Sequence, residues 1–393
     1  MKTNFDEIID RRGTQAIKTD FLDKLYGRED LIPLWVADMD FKTPDCIVEA
    51  LRERFNHQIY GYSTPPESYW QSIINWEKQL HGWEISREEL SFIPGIVKGI
   101  AFVLQCFTSP GDGVVIQPPV YMPFIHVPND TGRRLLMNPL IRTEEGYDMD
   151  LEGLEEICRT SSPKILILCS PHNPAGIVWS SETLAEMARI CSKYGVMVIS
   201  DEIHADMALF DNVHTPFPMA SEEARNISIT FAAPTKTFNI AGLVSSFCVV
   251  HNPEIRERFY GWLSANHLAS PTFIATVATE AAFTKGGEWR RQMLDYVEGN
   301  VRFVEEFLEK NIPAIRPVRP QASFLIWLDC RGLGLDQTEL KNLFTNKARL
   351  ALNDGVAFGK EGSGHMRLNV GCPRALLSRA MEQLASAVRE SIC

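Results

Sequence analysis

Thr230-Phe231-Ala232-Ala233-Pro234-Thr235-Lys236-Thr237-Phe238-Asn239-Ile240-Ala241-Gly242-Leu243-Val244-Ser245-Ser246 is the stretch whose reading decides the fold. The β-branched and aromatic run Ile227, Ile229, Thr230, Phe231 predicts a buried strand leading into it. Phe247, Cys248, Val249 and Val250 predict a second strand on its far side. One lysine, Lys236, stands between them, flanked by two threonines among small and apolar residues. Taken alone, a loop lysine belongs on the surface. Buried between two core strands it would lose proton affinity, and a neutral amine is what a nucleophilic lysine needs.

Working back towards the N-terminus, strands and helices alternate. Residues 114–117, 134–137, 164–169 and 196–200 are predicted strands, and 151–158 and 182–194 predicted helices. Nearly continuous apolar strands between helices predict a mostly parallel central sheet with both faces covered. Polar residues fall just past the strand ends: Tyr121, Asn173, Asp201 and Lys236. Ligands of open α/β sheets bind outside the carboxyl ends of the strands, so these four loops should converge on one rim. Upstream, Phe92-Ile93-Pro94-Gly95 precedes an apolar helix, and the free amides of Gly95, Ile96 and Val97 offer an anion site. An ordinary buried helix with a glycine at its start fits those residues equally well.

Downstream, residues 253–311 read as helical, a long connector leaving the first domain. Strands at 323–329, 349–352 and 365–370, with helices at 337–344 and 374–390, predict a smaller α+β domain into which residues 1–45 fold back. The expected division is a large domain over 46–285 and a small one from 1–45 with 286–393.

The 393 residues, 45% hydrophobic and 23% charged, suffice for two domains with substantial cores. A net charge of −11 argues against nucleic acid or an anionic membrane surface as partner. No apolar run reaches membrane-spanning length, and the N-terminus lacks the apolar core of a signal peptide. Nine cysteines without a C-x-x-C pair suit reduced thiols, give no sign of a metal site, and point to the cytoplasm.

Lys236 in its setting, Ser170-Pro171-His172-Asn173-Pro174-Ala175-Gly176 and Ser200-Asp201-Glu202-Ile203-His204-Ala205-Asp206 together resemble the fold type I enzymes that use pyridoxal 5′-phosphate, the aspartate-aminotransferase superfamily. Within it, L-W-V-A-D-M-D-F (34–41), Y-G-Y-S (60–63), D-E-I-H-A-D and T-K-T-F-N-I-A-G-L look like the cystathionine β-lyase, or C–S β-lyase, subgroup. The resemblance spans essentially the whole chain and implies a role for each residue. Lys236 would hold the cofactor and then take the substrate's Cα proton. Asp201 would pair with the pyridine nitrogen, although a strand-to-helix aspartate is also a helix cap. Asn173 would bond the ring's phenolate oxygen and touch the substrate carboxylate, and Tyr121 would stack on the ring. His204 would stand beside the cofactor. Gly95, Ile96, Val97 and Thr235 would hold the phosphate, joined by Tyr62 crossing from a second copy in a homodimer. Arg367, with the Ala37 amide, would bind the α-carboxylate of a small amino-acid substrate.

Two positions depart from the aminotransferase pattern. Val244 stands where those enzymes commonly carry a phosphate-binding arginine, and His204 where they carry a tyrosine. Both lean towards elimination, with a thiol, pyruvate and ammonia as products of cystathionine or a related S-substituted cysteine. The alternatives are an aminotransferase on the same scaffold and a lyase that also binds a regulatory partner.

Overall fold

Seven strands form the central sheet: β1 (Leu90–Ile93), β2 (Gly113–Ile116), β3 (Arg134–Met137), β4 (Ile165–Cys169), β5 (Met197–Asp201), β6 (Ser228–Ala232) and β7 (Ser246–Val249). Their order is β1-β7-β6-β5-β4-β2-β3 in this computed structural model, which describes residues 2–144 and 146–392. Strands β6, β5, β4, β2 and β3 pair in parallel, and β7 runs antiparallel to both its neighbours. Side chains of β4 show why the runs are apolar throughout. Leu166 and Leu168 enter one hydrophobic core, while Ile165, Ile167 and Cys169 enter another on the opposite face. Side chains alternate across a strand, so a strand buried on both faces has no polar side to show.

The first core is completed by helices α4 (Leu151–Ser161) and α5 (Ser181–Lys193). On the other face lie α3 (Ile96–Phe107) and α6 (Pro253–Ala265), which contribute Ile100, Val103, Phe259 and Leu263. Helix α3 packs close because Gly99 faces the sheet, where an added Cβ would come within 2.9 Å of Ile93 and Phe231. On the other side of β1 and β7, helices α1 (Asp45–Asn56), α2 (Glu67–His81) and α7 (Phe273–Lys285) pack together, and Gly82 ends α2 in the left-handed conformation.

Four antiparallel strands form a second sheet in the order β8 (Arg316–Val318), β9 (Leu325–Asp329), β11 (His365–Asn369), β10 (Asn353–Asp354). Helices α8 (Gly287–Asn311) and α9 (Arg374–Ile392) pack with one another. Ile32–Pro33 pairs in parallel with Leu350–Ala351, and the Asn369 amide donates to the Leu34 carbonyl at 3.0 Å. The segment from Trp35 to Phe41 is thereby carried past β11 to the Lys236 turn. There Asn239 accepts from the Met39 amide and donates to the Met39 and Phe41 carbonyls at 2.8–2.9 Å.

Residues 253–311 do not form one long connector. Three helices, α6, α7 and α8, occupy the stretch. Pro271 and the Thr272 cap, whose hydroxyl accepts from the Ala275 amide, begin α7 afresh, and Gly286 separates α7 from α8. Short helices at Ile17–Asp20, Leu22–Tyr26 and Pro123–Asp130, and strand β1, add to the elements expected from sequence.

Candidate active site

The loops after β2, β4 and β6 bring Tyr121, Asn173 and Lys236, and the end of β5 brings Asp201, to one cavity of about 320 Å3. Ala37, Gly95, Ile96, Val97, Thr235 and His204 line it too. Lys236 donates from Nζ to the Ala37 carbonyl at 2.6 Å. Burial pulls its amine down to about 8, with Asp38 opposing the shift, Arg367 adding to it and Asp201 opposing it again.

Asp201 ends β5 and is 4% exposed. Its carboxylate accepts from the Ile203 amide at 3.1 Å, and burial raises it to about 7. A buried carboxylate with so little compensation calls for a cationic partner. His204 is also buried, its Nδ1 unpartnered among the described residues. Burial, then the neighbouring cations Lys236 and Arg367, push it down to about 3, so the ring is neutral.

At the start of α3 the free donors differ from those expected. The Gly95 amide is already given to the Ile93 carbonyl at 2.9 Å across Pro94, and Gly95 itself caps the helix at a positive φ of 104°. The amides of the first turn, Ile96, Val97 and Lys98, have no backbone acceptor among the described residues and point their partial positive charge at the cavity. Lys98 lines the cavity and was not picked out from sequence; its place in the first turn was the available signal. Val244 lines the cavity at φ 52°, in the left-handed region that a β-branched residue rarely adopts.

Arg367 on β11 is 3% exposed and reaches the cavity through Asn173. Nη1 donates to Asn173 Oδ1 at 3.0 Å, and Nη2 to the Trp35 carbonyl at 2.9 Å and Asn353 Oδ1 at 2.6 Å. Its Nε has no partner among the described residues, and burial lowers the guanidinium to about 10. Tyr121 is half-buried, and burial raises its phenol. The Ala37 carbonyl serves Lys236, a contact the sequence did not suggest. Tyr62 does not join this cavity: it lies fully exposed in the irregular segment between α1 and α2.

The family model for aminotransferase class I and II matches residues 29–384. The cystathionine beta-lyase PatB of Bacillus subtilis is 42% identical over 98% of this chain and 100% of its own. The chain belongs to the aminotransferase class I and II family. Cystalysin from Treponema denticola, solved with a pyridoxal 5′-phosphate cofactor, superposes with a TM-score of 0.96 at 32% identity over the whole of both chains. The PLP-bound C–S lyase of Staphylococcus hominis gives 0.92 at 32% identity, over 99% of this chain and 98% of that one. Family membership extends across both sheets, since the matched residues run from before Ile32 to within α9.

Proposed function

We propose that this family member is a pyridoxal 5′-phosphate-dependent C–S β-lyase that cleaves L-cystathionine or related S-substituted cysteines to a thiol, pyruvate and ammonia. The full-length likeness to a cystathionine beta-lyase carries the choice of reaction. The cavity fits the cofactor on its own terms. An under-compensated buried carboxylate at Asp201 suits a protonated pyridine nitrogen. Free amides at the start of α3 suit a phosphate, and the Lys236 amine suits an aldehyde.

The bound cofactor supplies an electron sink for the charge left when the substrate loses its Cα proton. Lys236 is the residue that removes that proton at Nζ, and its lowered proton affinity keeps a useful neutral fraction near pH 8. Asp201 would hold the ring nitrogen protonated, and Tyr121 would cover the ring. Arg367 and Asn173 orient the α-carboxylate; a planar guanidinium fixes direction as well as charge. As the Cβ–S bond breaks, the departing sulfur takes a proton from Lys236 or from the Tyr121 phenol, which burial keeps protonated. Water then converts the three-carbon remainder to pyruvate and ammonia.

The active unit in this reading is a cytoplasmic homodimer, with Tyr62 of each copy reaching the other's phosphate. Its full exposure, and its place outside the residues lining its own cavity, support that role. Among the described residues no helix is long and apolar enough to cross a membrane.

The test is purified, cofactor-loaded protein with L-cystathionine and no keto acid. Equal, sustained release of pyruvate and ammonia, lost in Lys236→Ala, is the expected result. Turnover that begins only when a keto acid is added would replace the lyase with an aminotransferase.

A further inference from the structure

Against Thr237, the residue that follows Lys236, and outside the residues that line the cavity, lies a buried polar node centred on Asp206. This aspartate is 6% exposed in the short turn Ala205–Met207, two residues past His204. Its carboxylate accepts from Trp76 Nε1, 3.2 Å from each oxygen, and from Thr237 Oγ1 at 3.2 Å. His81 Nε2 lies 3.0 Å away, and Arg290 Nε donates to the Asp206 carbonyl at 2.5 Å. Helix α2 thus supplies Trp76 and His81, α8 supplies Arg290, and the residue after the reactive lysine supplies the fourth contact.

His81, Arg290 and Trp76 each help to compensate the buried charge. The Thr237 bond adds something different, because it ties the lysine-bearing turn to two helices. The backbone of that turn is fixed at Pro234 and Thr235, whose carbonyls accept from Phe238 and Ile240 at 3.0 Å. At Lys236 itself the hold is weaker, since its carbonyl accepts a long bond of 3.4 Å from Asn239. The fully buried Thr237 hydroxyl supplies the fixed point missing there.

We propose that Asp206 is a positioning residue for Lys236, acting through the Thr237 hydroxyl to hold the lysine in line with the aldehyde it must attack. This rests on the reading of Lys236 as the cofactor-binding lysine. A reacting group held out of line by a small displacement loses rate steeply.

The experiment compares the full-length protein with Thr237→Val, Thr237→Ala and Thr237→Ser. Each is stripped of cofactor and mixed with pyridoxal 5′-phosphate. The rate of covalent attachment at Lys236 is followed by visible absorbance and confirmed by borohydride reduction and peptide mass, with melting temperature measured alongside. Valine and alanine, which lack the hydroxyl, should slow attachment about three- to tenfold, while serine stays within about twofold of the parent. Should valine fail to fold, alanine carries the same comparison. Parental rates in all the variants would overturn the proposal, as would a serine variant as slow as valine, which would assign the effect to methyl packing. A parent protein that attaches nothing at Lys236 would instead overturn the functional reading itself.

Discussion

Asp201→Asn replaces the buried acid of the cavity with an amide of nearly the same shape, and its effects on stability and on function should have opposite signs. Burial raises the Asp201 carboxyl from 3.8 to about 7. A folded-state pKa above the unfolded value means that the folded chain keeps a proton which the unfolded chain releases between about pH 4 and 7. Stability of the cofactor-free protein therefore falls across that window, and the full cost is present by about pH 8. Roughly three units at 1.36 kcal/mol each give ~4 kcal/mol as an upper bound, and local relaxation leaves ~2–4 kcal/mol. Asparagine cannot ionise and escapes this cost. Urea unfolding of the cofactor-free proteins, at matched concentration, should show Asp201→Asn more stable than the parent at about pH 8. Its advantage should be ~1–3 kcal/mol smaller at about pH 5, where the parent is still largely protonated. Adding pyridoxal 5′-phosphate should reverse the order, because the variant cannot hold the ring nitrogen protonated and gains less from binding. An advantage that is absent at pH 8, or that fails to grow between pH 5 and 8, would refute the account of Asp201 as an acid held in the cavity at a cost.

Three further outcomes follow from the geometry. Attachment of pyridoxal 5′-phosphate to the parent should speed up about tenfold per pH unit on the acid side and level off above about pH 8, as Lys236 loses its proton; a flat profile from pH 6 to 9 would exclude the neutral amine as the attacking group. Arg367→Lys cannot reproduce the contacts to Asn173, Asn353 and Trp35, so kcat/KM for L-cystathionine should fall roughly 10–100-fold, mostly through KM, or ~1.5–3 kcal/mol. Gly99→Ala forces a methyl against Phe231 and Ile93 and should cost ~1–3 kcal/mol in urea unfolding while weakening cofactor binding, because the start of α3 moves with the helix.

The parallel sheet was legible in sequence because burial on both faces writes itself as unbroken apolar runs. Residues such as Ile165 to Leu168 leave no other reading once helices flank them. Residues that follow strand ends were legible for the same reason, since topology alone places Tyr121, Asn173, Asp201 and Lys236 on one rim. The resemblance supplied their chemistry. What stayed hidden depends on contacts without a period. Trp76, Asp206, Thr237 and Arg290 come from four separate segments, and no spacing announces that they meet. The Pro253–Asn311 stretch misled because its helical composition continues on both sides of the breaks, and Pro271 and Gly286 are modest interruptions in a long helical pattern. The use of the Gly95 amide by Ile93 depends on the tight turn at Pro94, a property of the backbone that residue types do not announce.

One cluster explains how the Lys236 amine stays available although aspartates stand nearby. Asp38 follows Ala37, whose carbonyl receives Lys236, and an unopposed carboxylate there would keep the lysine charged. It is not unopposed. Arg11 bonds Asp38 at 2.6 Å and Asp40 at 2.8 Å, while the fully buried Lys18 reaches Asp40 at 2.9 Å and Asp38 at 3.5 Å. Two cations thus face two carboxylates. Against the cost of burial, Arg11 and Lys18 hold Asp38 below the usual carboxylate range. Asp38 is therefore shared: it answers Arg11 and Lys18 and still opposes the shift at Lys236 more than any other charge does. Desolvation then dominates the lysine, as its lowered value of about 8 requires. On this account the N-terminal segment, remote in sequence from every strand of the central sheet, belongs to the site: it ties the Trp35–Phe41 loop in place and gives Asp38 cationic partners besides Lys236.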